Sequence, residues 1–141
     1  MSQKEVYIEG IDCSGKTTII DALRKEHTSF THKHLLHHRG PISGIVYAKL
    51  NSRVYDTEVY WEMLSKHTVI VFLILSFEEV KRRMIATNHY LPSDLVLDQE
   101  LRYWYDVIAE ADSRGFTVIK INGNSDLGLN MDKIVREISE L

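Results

Sequence analysis

Two spacings of apolar residues recur along the chain. Val6 to Ile8 is a short apolar stretch that ends in Gly10, and Ile19, Ile20 and Leu23 follow at helical spacing from Lys16. The pattern predicts strand, tight loop and helix. After the polar stretch His27 to His34, the pair Leu35 and Leu36 reads as a second short strand ending near His38. Pro41 and Ser43 can open a helix through Leu50, because proline suits a first turn and Ile45/Lys49 and Val46/Leu50 share faces. Another helix is expected over Thr57 to Ser65.

Thr68 to Leu75 reads TVIVFLIL, rich in β-branched and aromatic residues without alternation, which suits a central strand buried on both faces. Ser76 and Glu79 have capping-box spacing, so a helix should begin near Phe77. Asn88 and Pro92 in Ala86 to Asp94 break it before a longer helix from about Leu95 to Ser113, with Gly115 as its stop. Thr117 to Asn122 is a last strand, Gly123 to Gly128 a loop, and Met131 to Leu141 a closing helix with Ile134, Val135 and Ile138 on its apolar face. Strands alternating with helices predict an α/β fold: a small four-stranded parallel sheet with helices on both faces, three layers in all. No linker or repeat divides residues 1–141, so a single domain is expected.

Charge and cysteine content narrow the partners. Seventeen Lys plus Arg against twenty Asp plus Glu give a net charge of -3, which removes the simplest electrostatic argument for a dedicated nucleic-acid or anionic-membrane binder. The lone Cys13 cannot form an intrachain disulfide, and MSQKEVYIEG lacks the apolar run of a signal peptide, so a cytoplasmic location is expected. Val69 to Leu75 is too short to cross a bilayer, and no membrane association is expected.

The chemistry-bearing segment is Gly10-Ile11-Asp12-Cys13-Ser14-Gly15-Lys16-Thr17, which satisfies the phosphate-loop pattern G-x-x-x-x-G-K-[ST] between a predicted strand and a predicted helix. The glycines let successive N–H groups converge on one anion, and the helix directs its positive dipole end to the same place. Gly10, Cys13, Ser14, Gly15, Lys16, Thr17 and Thr18 are therefore expected to hold ATP. Lys16 would bridge the β- and γ-phosphates, and the Thr17 hydroxyl would ligate Mg2+. Asp12, inside the loop, should lie near the transferred group or the metal and could activate an acceptor hydroxyl; a loop-stabilising hydrogen bond is the plain alternative. Cys13 reads as a small loop residue rather than a nucleophile.

Tyr7 to Thr18, YIEGIDCSGKTT, resembles the first motif of the thymidylate kinase and deoxynucleoside kinase superfamily, a group of P-loop kinases. His38-Arg39-Gly40-Pro41-Ile42-Ser43 with Val46-Tyr47 resembles its second motif, in which an arginine grips the acceptor and the moving phosphoryl group. The resemblance implies a P-loop kinase fold, here a shortened, bacteriophage-type member, with ATP and Mg2+ as cofactors. It implies that Arg39 is catalytic, that Ser43 and Tyr47 lie near the acceptor, and that EEVKRRMIATNHY is a lid in which Arg82 and Arg83 approach the transferred phosphate. Asn122, in the INGN stretch, would lie beside adenine.

Two departures from the family shape the functional expectation. His38 stands where the family has a magnesium-shell aspartate, and neutral imidazole is a poor ligand for so hard a cation, so Asp12 would carry more of that role. The strand and helices that enclose the acceptor base in the family are replaced by His27 to His34, so the acceptor side should be open. Water would then compete for the phosphoryl group unless a second copy of the chain covers the site as a homodimer or the acceptor is large. The expected activity is ATP-dependent transfer to a thymidine-type deoxypyrimidine nucleotide, or alternatively to 5-hydroxymethyluracil bases in bacteriophage DNA. For DNA, Lys33, Arg39, Lys49 and Arg53 interleaved with Tyr47 and Tyr55 would supply contacts. A non-catalytic nucleotide-binding regulatory module is the reading from another class, although no guanine-reading Asn-Lys-x-Asp sequence is present.

The remaining features read as structural. Five of the seven histidines lie between His27 and His38, and a solvated strand edge explains them better than zinc. Trp61, Tyr103, Trp104 and Tyr105 are helix aromatics expected against the sheet, and Phe72 and Phe77 are expected in the core.

Overall fold

The structure, a computed structural model, describes residues 3–52 and 57–141. Arg53 and Tyr55, expected as nucleic-acid contacts, lie outside the described residues. The order of elements is β1 (Glu5–Glu9), α1 (Lys16–Glu26), α2 (Thr28–Lys33), β2 (Leu35–His38), α3 (Pro41–Leu50), α4 (Glu58–Glu62), β3 (Thr68–Ile74), α5 (Phe77–Ala86), α6 (Asp94–Ser113), β4 (Thr117–Asn122) and α7 (Leu127–Ser139).

The sheet has the order β2-β1-β3-β4 and every pairing is parallel. β1 and β3 are central, and alternate residues of each feed opposite faces. Tyr7, Ile70 and Phe72 point into a core built with Ile42, Ile45 and Val46 of α3, Val80 and Met84 of α5, and Leu97, Trp104 and Ile108 of α6. Val6, Ile8, Val69, Val71 and Leu73 point into a second core closed by Ile19, Ile20 and Leu23 of α1, Phe30 of α2, and Met131, Ile134 and Ile138 of α7. Two cores on one sheet explain why β3 shows no alternation in sequence. The result is the expected three-layer α/β architecture.

Several boundaries differ from expectation. The stretch with His32 is helical, not a strand edge: α2 is anchored by buried Phe30, and His34 just beyond it is buried, its Nδ1 accepting from the Lys4 N–H at 3.0 Å. The α7 helix starts at Leu127 rather than Met131, because the Asp126 side chain accepts from the Leu129 N–H and Gly128 joins the first turn. The helix expected over Thr57 to Ser65 is limited to Glu58–Glu62. Ser76 caps α5 by accepting from the Glu79 N–H at 3.2 Å, while the Glu79 carboxylate turns to Arg82 and Arg83. Trp61 and Trp104 are buried as expected, whereas Tyr105 is 45% exposed. Among the described residues no helix is long and apolar enough to cross a membrane.

In this topology the chain leaves β1 in one direction and returns past it to β3, so the crevice beyond the carboxyl ends of β1 and β3 is where ligands bind in such sheets. The glycine-rich loop follows β1 at that point.

Candidate active site

The loop from Gly10 to Gly15 takes its shape from close approaches. A Cβ at Gly10 would lie 2.8 Å from Ser14 Oγ and 3.2 Å from the Leu73 carbonyl, so no larger residue fits between loop and β3. Gly15 has φ 100°, a left-handed conformation, and hands the chain to α1. No side chain caps α1, in contrast to α5, α6 and α7, whose starts are capped by Ser76, Ser93 and Asp126. Its leading N–H groups and the buried Ser14 Oγ, without a partner among the described residues, are donors available to an anion.

A cleft of about 510 Å³ opens above the loop, lined by residues 12–18 together with His38, Arg39, Arg82, Arg83, Ala86 and Thr87. It brings together sequence-predicted residues from three segments, the loop with the start of α1, the end of β2 and α5. The Lys16 side chain curls across the loop and its Nζ donates to the carbonyls of Gly10 at 2.6 Å and Ile11 at 2.9 Å. Burial, and then the neighbouring Arg39, push its pKa down to about 8. Arg39 itself has φ 70° and donates from Nη2 to Asp12 Oδ1. The other Asp12 oxygen lies 3.7 Å from His89 Nε2, so the turn between α5 and α6 reaches back over the loop. His38 Nε2 is 3.4 Å from Thr17 Oγ1, and burial followed by Lys16 and Arg39 lowers the imidazole pKa. His38 is thus held toward its neutral form beside the threonine.

The two arginines of α5 are placed differently. Arg82 is 66% exposed, lines the cleft and forks onto Glu79, its Nε donating at 2.9 Å and its Nη2 at 2.5 Å. Arg83 is spent on the framework. Its Nε donates to Glu79 at 3.0 Å, Nη1 to the carbonyls of Cys13 and Ser14 at 3.3 Å each, and Nη2 to the Gly123 carbonyl at 2.9 Å and Asn124 Oδ1 at 3.4 Å. It ties the phosphate loop to the β4–α7 loop across a smaller hollow of about 160 Å³. Replacing Arg83 by Lys cannot reproduce this fork. The expected outcome is a roughly tenfold rise in the KM for ATP with kcat held within about threefold, consistent with loss of charge-assisted hydrogen bonds worth roughly 1.5–3 kcal/mol each. A lowered kcat at unchanged KM would instead put Arg83 on the moving phosphoryl group.

Gly10, packed against β3 beneath the loop, does not line the cleft, and neither do three other predicted positions. Ser43 is buried, its hydroxyl donating to Glu9 Oε2 at 2.6 Å. Tyr47 packs edge-on against Trp104, with its phenol pushed up to about 12 by burial and then by Asp12 and Glu100. The Asn122 side chain accepts from the Asn124 N–H at 2.9 Å and shapes its own loop. The hollow beside it is lined instead by Gly123, Ser125, Leu127 and Asn130.

Sequence reading assigned no role to Glu9, Glu100 and His89. Glu9 is fully buried at the end of β1, and burial raises its carboxyl to about 7. Glu100 on α6 is raised by burial and then by Asp12. Neither carries a spacing signal. Glu9 falls inside the YIEGIDCSGKTT motif, the one sequence signal that points to it.

The donor set fits a nucleotide-bound magnesium better than a resident metal. Among the described residues no group of three or more His, Cys, Asp and Glu could hold an ion. One hydroxyl, Thr17, and one carboxylate, Asp12, at the rim of the cleft suit a cation that draws its remaining ligands from phosphate oxygens and water.

This architecture, a phosphate loop between β1 and α1 of a four-stranded parallel sheet with helices on both faces, is the fold of the P-loop kinases. The YorR protein of Bacillus subtilis, solved in complex with phosphorylated GDP, superposes with a TM-score of 0.69 at 16% identity, covering 97% of this chain and 94% of that one. Deoxyadenosine kinase from M. mycoides gives a TM-score of 0.69 at 12% identity, covering 97% and 100% of the two chains. A gluconokinase from Sinorhizobium meliloti 1021 gives 0.56 at 15% identity, covering 97% and 92%. No protein-family model and no curated protein sequence matches the chain.

Proposed function

We propose that the protein is an ATP-dependent kinase that transfers the γ-phosphoryl group to a thymidine-type deoxypyrimidine nucleotide. One observation carries the reading: Lys16, Arg39 and Arg82 from three separate segments line a single cleft above an uncapped helix start, with Asp12 among them. Phosphoryl transfer asks a protein mainly for positioning and for positive charge around the moving group, and that is what this cleft supplies.

In the proposed reaction an acceptor oxygen forms a bond to the γ-phosphorus as the bond to the β,γ-bridging oxygen breaks, and ADP leaves with that electron pair. Lys16 and Arg39 would meet the charge on the non-bridging oxygens. Bound magnesium, held by Thr17 and Asp12 together with phosphate oxygens, would supply further charge neutralisation. A nucleoside monophosphate presents an oxygen that is already ionised near neutral pH, so its attack needs no base. A hydroxyl acceptor does, and Asp12 released from Arg39 is the carboxylate in the cleft that could take the proton.

Transfer to 5-hydroxymethyluracil in DNA is the second reading. It is favoured by the six-residue α2, which alone links α1 to β2 on the acceptor side, and by Tyr90, 80% exposed next to His89 at the cleft, as a surface on which a base could stack. The test offers γ-labelled ATP and magnesium with thymidine monophosphate or with DNA containing 5-hydroxymethyluracil. Label on the nucleotide is the expected result; label on the DNA alone moves the assignment to the second reading. ATP binding without transfer to either would leave a nucleotide-binding regulatory module.

A further inference from the structure

The buried carboxylate at the end of β1 takes no part in the chemistry just described. Glu9 lies opposite Phe72 of β3 and is fully excluded from solvent. Its Oε2 accepts from Ser43 Oγ at 2.6 Å, while Oε1 is buried without a partner among the described residues. The next two residues present the carbonyls that Lys16 Nζ binds, and Ser43 sits in the first turn of the helix that Arg39 leads into.

Burying a carboxylate with a single donor is unfavourable, and an amide or apolar side chain would fill the same space with less penalty to folding. The reason for the charge therefore lies in the groups that face it. These are Lys16 from α1, Arg39 from the β2–α3 connection, Ser43 and Tyr47 from α3, and Tyr7 from β1 itself, while β3 contributes the uncharged Phe72. Two of them are the cations of the phosphate cleft, and they repel one another: Arg39 is among the causes that lower the Lys16 pKa.

We propose that Glu9 is a positioning residue for phosphoryl transfer, its carboxylate anchoring the first turn of α3 through Ser43 and holding Lys16 and Arg39 together over the phosphate loop. This rests on the reading of the cleft as a kinase site. Burial pushes the Glu9 carboxyl up to about 7, against the opposing pull of Ser43, Lys16 and Arg39. A folded-state pKa above the ordinary value of 4.5 means that folding favours the protonated form. The stability contributed by Glu9 is complete below pH 4.5 and is lost as pH rises through about 7, so the charge that organises the site weakens the fold.

The test is Glu9→Gln in the full chain, which keeps the volume and an acceptor for Ser43 but removes the charge. At pH 8 the variant should melt at or above the wild-type temperature while kcat/KM for transfer falls at least tenfold. Calorimetric affinity for magnesium-ATP should weaken at least fivefold. Below pH 6, where wild-type Glu9 is protonated, the two proteins should converge in both readouts. Ser43→Ala, which removes the hydrogen bond that lowers the Glu9 pKa, should move the acid limb of the wild-type profile to higher pH. Equal kcat/KM and ATP affinity for the two proteins from pH 6 to 8 would overturn the proposal, and so would an activity loss matched by a lower melting temperature at pH 8. If the wild type transfers phosphate to no acceptor, the kinase reading fails, and the ATP affinities of the two proteins at pH 6 and 8 still decide the role of Glu9.

Discussion

Lys16→Ala lowers kcat/KM for γ-phosphoryl transfer by on the order of 10³-fold or more while the protein stays folded, if the loop works as proposed. Lys16 is 5% exposed, and among the described residues its ammonium bonds only to the carbonyls of Gly10 and Ile11, at the edge of the cleft where water can take its place. Its removal takes away a partly desolvated charge, so the melting temperature should hold or rise slightly. The pH dependence gives a second check. The Lys16 pKa is lowered to about 8, so above that pH the unliganded protein carries a neutral amine, and a triphosphate that requires the ammonium must draw a proton from solvent on binding. Wild-type ATP affinity should therefore fall as pH rises past about 8, and this dependence should vanish in the alanine variant. Normal transfer by that variant would show that the phosphates bind elsewhere.

Trp104→Ala has the opposite signature, a loss of stability from which loss of activity follows. Trp104 is 1% exposed on α6, stacked on Phe72 of β3 at 6.2 Å and edge-on to Tyr47 of α3 at 6.4 Å, so it joins three elements beneath the acceptor side. Truncation of a buried aromatic of this size costs about 3–5 kcal/mol, a large share of the roughly 5–15 kcal/mol that holds a domain folded. A fall in melting temperature of roughly 6–20 °C follows for a chain of this length. Trp104→Phe should lose far less. It keeps a ring against Phe72 and removes the indole Nε1, a buried donor with no partner among the described residues. A thermal melt of the two variants by circular dichroism checks both statements. An alanine variant as stable as the wild type would mean that α6 is not held to the sheet through this contact.

The parts of the protein legible in its sequence are those in which local chemistry and tertiary demand agree. The unbroken apolar run of β3, the glycines and lysine of the phosphate loop, and Ser76 ahead of α5 each have a local physical cause, and each lies where expected. Where only one residue speaks for an element, the sequence is nearly silent. The α2 helix carries five polar residues around Phe30, and packing of that ring against the α1 side of the sheet is what makes it helical.

The site divides in the same way. Lys16, Thr17 and Asp12 follow from the loop pattern, because backbone geometry there is a property of a few neighbouring residues. Which charges meet across the cleft was decided only by the fold. Asp12 and Arg39 are brought together by a left-handed residue after β2, and His89 comes over the loop from the α5–α6 turn. The five donors of Arg83 are consumed by α5 and two loops. Glu9 ends buried against Ser43, a partner thirty-four positions away. A charge has no period to read along a chain; its partners, and the dielectric it sits in, exist only once distant segments have packed around it.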